Sequence, residues 1–210
     1  RYIANTRPGS AQLVAEIDDQ LTALVRPHLP LPDPRRAQPG GKAGRIRVRA
    51  DDARRVLESV RPDRYDLIVS DVFAGATIPF HLTTVECARA AARALVPGGI
   101  YTANVADGPP QKAIRSAVAT VRSVFTEVCV VAEPAVARGR RLGNFVLVAS
   151  DRPLPVDGLR RRVAGDPFPA RVIDGAELAR FAGSAPVVAD PVVRDAVITD
   201  AVPTDAGHPG

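Results

Sequence analysis

The stretch RYDLIVSDVFAG, residues 64–75, decides the fold. Its apolar run DLIVS predicts a parallel strand that other elements cover on both faces. The strand ends at Asp71, a single carboxylate, and a glycine-bearing loop follows. Ligands of open parallel sheets bind outside the carboxyl ends of the strands. The sequence therefore predicts a functional role for Asp71 rather than a place in the core.

Strands and helices alternate on both sides of this stretch. The patterns predict further strands at AQLVAEID, RIRVRA, IYTANVAD, TEVCVVAE and NFVLVAS, and helices at DDQLTALVRPHL, DDARRVLESV, TTVECARAAARALVPGG and PQKAIRSAVATVRSVF. Thr83 and Glu86 are placed to form a capping box at the entry of the third helix. This alternation indicates an α/β protein with an open, doubly wound and mostly parallel sheet. The last two strands are close enough in sequence to form an antiparallel hairpin at one edge.

The alternation of predicted strands and helices covers residues 1–150, and the sequence pattern changes at Asp151. Residues 151–210 predict a small helical appendage of two short helices, followed by a flexible tail. The chain begins at Arg1 and contains no methionine. We therefore expect the complete translation product to include residues upstream of Arg1.

Composition restricts the class of function. The net charge is +5, but the arginine clusters are not interleaved with aromatic residues, so a nucleic-acid partner ranks last among the alternatives. No apolar run is long enough to cross a bilayer and no secretory signal is visible, so we expect a cytoplasmic protein with no membrane contact in this segment. Cys87 and Cys129 lack metal-ligand spacing, which predicts two buried thiols and no metal site.

Acidic residues follow three of the predicted strands. Glu16 and Asp18 follow the first, Asp51 and Asp52 the second, and Asp71 the third. All would lie along one rim of the sheet, where acids can accept hydrogen bonds from ribose hydroxyls or from the amino group of an adenine. Asp18 and Asp52 also have a simpler interpretation, as the residues that cap the helices that follow them.

The ordered series AEID, ADDAR, YDLIVSDVFAG, HLTT, LVPGGIYTANVAD and GNFVLVAS resembles the spermidine synthase-like family. These polyamine aminopropyltransferases are built on the class I S-adenosylmethionine-dependent methyltransferase fold. The resemblance implies S-adenosylmethionine or its decarboxylated form as co-substrate, a small amine acceptor, a homodimer and a part in polyamine biosynthesis. It also implies that residues 1–150 lack the first strand and the glycine-rich loop of that fold.

The resemblance also assigns roles to individual residues. Asp71 would be the catalytic aspartate beside the acceptor amine. The cofactor would contact two short segments at strand ends, namely Glu16, Ile17 and Asp18, and Asp51, Asp52 and Ala53. The acceptor would be enclosed by a substrate loop and the end of the next strand, namely Val72, Phe73, Gly75, His81 and Asn104.

The sequence departs from the family pattern at the acceptor end. Ala74 occupies the position at which spermidine synthases carry a second aspartate that helps to hold the diamine. The run ANVAD offers Asn104 and Asp107 where the family has a Gln-Gly-Glu-like set. The favoured function is aminopropyl transfer to an amine. The alternatives are methyl transfer from intact S-adenosylmethionine and a non-catalytic scaffold or dimer module that has lost cofactor binding.

Overall fold

The computed structural model describes residues 1–31, 44–75 and 77–191. The helices are α1 (Tyr2–Thr6), α2 (Asp19–His28), α3 (Ala53–Ser59), α4 (Val85–Ala94), α5 (Lys112–Arg122), α6 (Pro134–Ala137), α7 (Val156–Ala164) and α8 (Gly175–Ala182), with a short 3₁₀ helix at Phe80–Leu82. The strands are β1 (Ala11–Glu16), β2 (Arg45–Ala50), β3 (Tyr65–Ser70), β4 (Leu95–Asp107), β5 (Glu127–Ala132), β6 (Gly143–Ser150) and β7 (Arg171–Asp174). The predicted flexible tail falls largely outside the described residues.

The strands form two sheets. β1 pairs in parallel with β2, and the other five strands are ordered β3-β4-β6-β5-β7. β3 and β4 are parallel, whereas β6 is antiparallel to both β4 and β5. The predicted α/β class and the antiparallel β5–β6 pair are confirmed. One strand that the sequence analysis does not predict, β7, pairs with β5 and forms the outermost strand beyond that hairpin.

Strand β7 also corrects the description of residues 151–210 as purely helical. Val172 and Ile173 of this strand are buried, and Leu178 of the following helix α8 belongs to the main hydrophobic core. Residues 171–182 therefore contribute a strand and a helix to the larger sheet. The four-residue strand is too short for its alternation to stand out in the sequence between two helices.

The core lies on the larger sheet and is covered by α4, α5 and α8. Phe145 and Leu147 of β6 are fully buried, as expected for a strand with neighbours on both edges, and Ile114 of α5 is fully buried against them. The rings of Tyr101 and Phe125 stack with their centroids 5.7 Å apart. Burial raises the pKa of Tyr101 to about 12, so its hydroxyl stays neutral.

Strand β3 is not covered on both faces in the described structure, and that prediction is wrong. Tyr65 and Ile68 pack against the core, whereas Leu67 is 42% and Val69 57% exposed. Among the described residues β3 pairs only with β4, and β1 pairs only with β2. Each of these strands thus keeps one edge with free backbone donors and acceptors. Leu67 and Val69 are two residues apart and lie on one face of β3, which is therefore not covered by other described residues.

Helix α4 begins one residue later than the predicted capping box. Thr84 is the N-cap, and its hydroxyl accepts a hydrogen bond from the amide of Cys87 at 3.4 Å. Thr83 instead donates to the carbonyl of Phe80 in the 3₁₀ helix. The carboxylate of Glu86 accepts from the amide of Asp190 at 2.9 Å. The helix is therefore capped by one threonine, and the glutamate anchors a distant segment.

Candidate functional site

Two of the predicted site residues are hydrogen-bonded to each other at the carboxyl end of β3. Asp71 directly follows this strand, and Asn104 lies in β4, whose Ala103 is paired with Ser70. This register places the next residues side by side. The amide of Asn104 donates from Nδ2 to Oδ1 of Asp71 at 3.0 Å. The carboxylate of Asp71 is exposed, as its predicted role requires.

The other end of the Asn104 amide has no partner. Its Oδ1 atom is buried and accepts no hydrogen bond from any described residue. A buried carbonyl oxygen without a donor is uncommon and costs free energy, which identifies this position as one where a donor is missing. Oδ2 of Asp71 likewise has no donor within the described part of the chain. Oδ2 of Asp71 is thus left for a ligand, whereas Oδ1 of Asn104 is enclosed and has no donor among the described residues.

A predicted cofactor residue and a predicted substrate-loop residue form a second pair. Asp52 is the N-cap of α3, where its Oδ1 accepts from the amide of Arg55 at 3.1 Å. Its Oδ2 lies 2.8 Å from Nε2 of His81 in the 3₁₀ helix. Partial burial acts to raise the pKa of Asp52, but the Arg55 amide and the His81 ring together hold it below its ordinary value. Asp52 is therefore ionised, and it connects α3 to the 3₁₀ helix that carries His81, a residue of the predicted substrate loop.

Of the remaining acids at strand ends, Asp18 and Asp51 make local contacts within the chain. Asp18 caps α2, and its side chain accepts from Leu21 at 2.8 Å. Asp51 lies 2.7 Å from Arg49 and 3.3 Å from Arg55. Asp18 therefore has the capping role that its sequence position allows, whereas Asp51 forms ion pairs with two arginines.

Glu16 and its neighbour Ile17 remain available. Oε1 of Glu16 accepts from the amide of Asp18 at 3.0 Å, and no described residue donates to Oε2. Ile17 is 74% exposed at the end of β1. Ala53 is the first residue of α3, next to the capping Asp52. Free carboxylate and apolar surface are thus adjacent at the carboxyl end of β1.

The predicted substrate loop is closed by a small backbone bridge. The amide of Ala74 donates to the carbonyl of Thr77 at 2.8 Å. Gly75 lies inside this turn with a φ of +63°, a conformation that glycine adopts without strain. Val72 is half-buried and Phe73 is 38% exposed. The loop after Asp71 therefore presents mainly uncharged surface.

Arg54 is a site-adjacent residue that the sequence analysis misses. Its guanidinium donates to the carbonyl of His81 at 2.9 Å, to the hydroxyl of Thr84 at 3.0 Å and to the carboxylate of Asp190 at 2.9 Å. It also pairs with Glu58 at 2.5 Å. Partial burial acts to lower the pKa of Arg54, but the Asp190 and Glu58 carboxylates raise it. Only the Glu58 contact, one helical turn away, is visible in the sequence.

Asp190 belongs to a segment that we name the strap, residues 188–190. The carbonyl of Val188 accepts from the amide of Val85 at 2.8 Å, and the amide of Val188 donates to the hydroxyl of Thr120 at 3.0 Å. The strap therefore crosses from α5 to the start of α4 and ends on Arg54. Through Arg54 it fixes the backbone of His81, at the entry of the predicted acceptor side.

Other classes of site find no support in the described ranges. No group of three or more histidine, cysteine or acidic side chains is placed to hold a metal ion there. Cys87 and Cys129 are both free and buried, as predicted. Within residues 1–31, 44–75 and 77–191, no helix combines the length and the apolar character needed to cross a lipid bilayer.

Comparison with known proteins finds similar solved structures. No model of a known protein family matches the chain, and no curated protein matches it. A solved structure described as a probable spermidine synthase from Corynebacterium glutamicum is 36% identical, with a TM-score of 0.81, and the match covers 91% of this chain and 68% of that one. A spermidine synthase in complex with the transition state analogue AdoDATO has 17% identity and a TM-score of 0.50, with coverage of 73% and 51%. A spermidine synthase from Thermotoga maritima has 15% identity and a TM-score of 0.50, with coverage of 75% and 59%.

The fold and the similarity together define a transferase built on the class I methyltransferase fold. The chain belongs to the spermidine synthase family, because the similarity to the Corynebacterium protein is high in identity and extends over most of both chains. The predicted family, fold class and general class of enzyme are thereby confirmed. The chain spans only 51% and 59% of the two more distant spermidine synthases, which share the fold alone.

Proposed function

We propose that this protein transfers an aminopropyl group from decarboxylated S-adenosylmethionine to an amine acceptor. The observation that supports this most strongly is the exposed Asp71 carboxylate at the carboxyl end of β3, oriented by Asn104 and with Oδ2 free. A carboxylate in this position can bind an amine and accept its proton. Because the chain belongs to the spermidine synthase family, we take decarboxylated S-adenosylmethionine as the donor of the aminopropyl group.

The reaction needs a base but no acid. The acceptor nitrogen gives a proton to Asp71 and attacks the carbon next to the sulfonium. The new nitrogen–carbon bond forms as the carbon–sulfur bond breaks. The leaving methylthioadenosine is a neutral thioether and takes no proton, and Asp71 passes its proton to solvent.

The residues present fit a nucleoside at the rim between β1 and α3. Glu16 supplies a free Oε2 for the ribose hydroxyls, with the exposed Ile17 beside it. Asp52 accepts one hydrogen bond on each oxygen from Arg55 and His81. Each of its oxygens keeps a second lone pair for the adenine amino group. In this proposal Asp18, Asp51 and Ala53 do not contact the nucleoside through their side chains, and they contribute by shaping the local backbone.

The unpaired edges of β1 and β3 support the proposal that this part of the fold lacks a strand and its glycine-rich loop. Both edges belong to strands that are parallel to their single partners. An additional parallel strand between them would pair with both edges and join the two sheets. The homodimer, and the division of the chain at residue 150, also remain proposals.

The test is product formation by the full-length protein. Decarboxylated S-adenosylmethionine and a set of primary amines should give methylthioadenosine and an aminopropylated amine in equal amounts. Asp71→Asn, which keeps the hydrogen bond from Asn104 but cannot take a proton, should reduce kcat by about 10²- to 10⁴-fold. Absence of both products with every amine would reject aminopropyl transfer.

Methyl transfer is the second candidate, and Ala74 favours it, since a diamine finds no second carboxylate there. Intact S-adenosylmethionine would then yield S-adenosylhomocysteine rather than methylthioadenosine. Incubation with each donor separates the two reactions by the nucleoside that is released. A protein that is not stabilised by either nucleoside would be the non-catalytic scaffold, and a thermal shift assay with methylthioadenosine detects that outcome.

A further inference from the structure

The strap is anchored at three points on helices α4 and α5. The amide of Val188 donates to the hydroxyl of Thr120 at 3.0 Å, and this threonine is 1% exposed. The carbonyl of Val188 accepts at 2.8 Å from the amide of Val85, the first residue of α4, whose position has no acceptor within the helix. The carboxylate of Glu86 accepts from the amide of Asp190 at 2.9 Å. The backbone of Asp190 is therefore fixed by hydrogen bonds to the core helices.

Asp190 presents both carboxylate oxygens to the guanidinium of Arg54. Nη2 donates to Oδ2 at 2.9 Å and Nη1 donates to Oδ1 at 3.4 Å, and such a two-point contact fixes the plane of the guanidinium. The Arg54 side chain is 13% exposed, so solvent screens this contact less than it screens a fully exposed ion pair. Nη1 also donates to the carbonyl of His81 at 2.9 Å and to the hydroxyl of Thr84 at 3.0 Å. One guanidinium thus joins the strap, the 3₁₀ helix and the N-cap of α4.

The 3₁₀ helix in turn carries the ring that orients Asp52. Nε2 of His81 lies 2.8 Å from Oδ2 of Asp52, and the amide of Arg55 donates to Oδ1 at 3.1 Å. The terminal torsion of an aspartate has a broad energy well, so a carboxylate held at one oxygen only would rotate. Partial burial acts to raise the pKa of Asp52, whereas the Arg55 amide and the His81 ring lower it. The direction of the remaining lone pairs of Asp52 therefore depends on the position of His81.

We propose that the strap positions the nucleoside site at Asp52, and that it does so through Arg54 and His81. Asp190 and Arg54 are then positioning residues, because they act on the carboxylate of Asp52 through the 3₁₀ helix. Without the strap contact the 3₁₀ helix would lose one of its supports. A nucleoside would then bind only to the fraction of molecules in which His81 is in place, and the apparent affinity would fall by that fraction. This inference rests on the nucleoside site of the proposed function.

The first experiment measures the binding of methylthioadenosine to the full-length protein by calorimetry. Asp190→Ala should raise Kd about fivefold to tenfold, the change expected when about a tenth to a fifth of the molecules keep His81 in place. Asp190 is 37% exposed, so the variant should fold. Equal Kd values for native protein and Asp190→Ala would overturn the inference.

Glu58→Ala is the matched control for this measurement. It removes a second carboxylate from the same guanidinium, at 2.5 Å from Nε of Arg54, but Glu58 belongs to α3 and its loss leaves the strap attached. Glu58 is 50% exposed, and Kd should change by less than about twofold. Equal losses of affinity in Glu58→Ala and Asp190→Ala would show that the charge of Arg54 matters and the strap does not, and would overturn the inference.

The second experiment follows the carboxyl carbon of Asp52 by carbon-13 NMR as the pH is lowered. In Asp190→Ala the His81 ring should withdraw, and the pKa of Asp52 should rise toward its ordinary value. The change of charge acts in the opposite direction, since removal of an anion lowers the pKa of a neighbouring acid, so a rise reports the lost contact. His81→Phe gives the full rise for comparison, and Glu58→Ala should cause none. An unchanged pKa of Asp52 in Asp190→Ala would overturn the inference, even if the variant were less stable.

The two experiments separate a failure of this inference from a failure of the proposed function. If the full-length protein binds methylthioadenosine but converts no amine, the transfer reaction fails, whereas a weaker affinity in Asp190→Ala than in Glu58→Ala still supports the role of the strap. If the native protein does not bind methylthioadenosine, the nucleoside site at Asp52 is rejected and the inference is rejected with it.

Discussion

Replacement of Leu178 by alanine tests whether the segment after residue 150 is part of the main fold. Leu178 is 1% exposed and lies in the core, where α8 packs against β5, β7 and α5. A buried leucine truncated to alanine costs about 2–5 kcal/mol, from lost transfer free energy and the cavity left behind. We expect about 3 kcal/mol, because strands and a helix surround the site and restrict its collapse. For a chain of this size that corresponds to a fall in Tm of roughly 6–12 °C.

The assay is urea unfolding followed by circular dichroism, with a single transition and an unchanged slope expected for the variant. Phe168→Ala is the matched control. It removes a larger apolar side chain from the same segment, but Phe168 is 87% exposed, so the free energy of unfolding should change by less than about 0.5 kcal/mol. A loss below about 1 kcal/mol for Leu178→Ala, or two separate transitions, would show that residues 171–182 unfold independently and that the reasoning from burial fails.

Three further predictions concern side chains near the site and in the core. Because the pKa of Asp52 is lowered in the folded protein, its stabilisation is present above about pH 4 and is lost as the pH falls through the folded value; the difference in unfolding free energy between native protein and Asp52→Asn should therefore be present at about pH 5 and vanish toward about pH 2, and a constant difference would contradict the lowered pKa of Asp52. Thr84→Val removes the α4 cap and one partner of the buried guanidinium at constant volume, and should lower the unfolding free energy by about 1–2 kcal/mol in urea titration, whereas no loss would mean that the cap is dispensable. Burial raises the pKa of Cys87 and Cys129 to about 11, so their reaction with a thiol reagent at pH 8 should be about a hundredfold slower in the native protein than in urea, and rapid native labelling would show that they are accessible.

The parts of the site that the sequence predicts are those fixed by local pattern. Asp71 follows a strand whose apolar run is unmistakable, and the strand-end rule places it at the ligand-binding rim. Asn104 is predicted only through the resemblance to the spermidine synthase-like family, which carries a polar set at that place in the neighbouring strand. The sequence also predicts the N-caps at Asp18 and Asp52, because each acid immediately precedes a helical pattern.

The parts that the sequence does not predict depend on contacts between distant residues. Arg54 and Asp190 are 136 residues apart, and nothing in either neighbourhood distinguishes them from other charged surface residues. Strand β7 is missed because it has four residues and lies between helices. The exposure of Val69 is missed because an apolar run reports the chemistry of a strand and not whether both of its faces are covered in the folded chain.

Asp52 gives the site a physical link between its two halves. Its carboxylate caps α3 and binds His81, while Arg54 of the same helix holds the carbonyl of His81 and is itself fixed by Asp190. A nucleoside that hydrogen-bonds to the remaining lone pairs of Asp52 would share this carboxylate with α3 and His81. The proposed donor side and the proposed acceptor side therefore share one carboxylate, and the strap holds its partner His81 in place through Arg54.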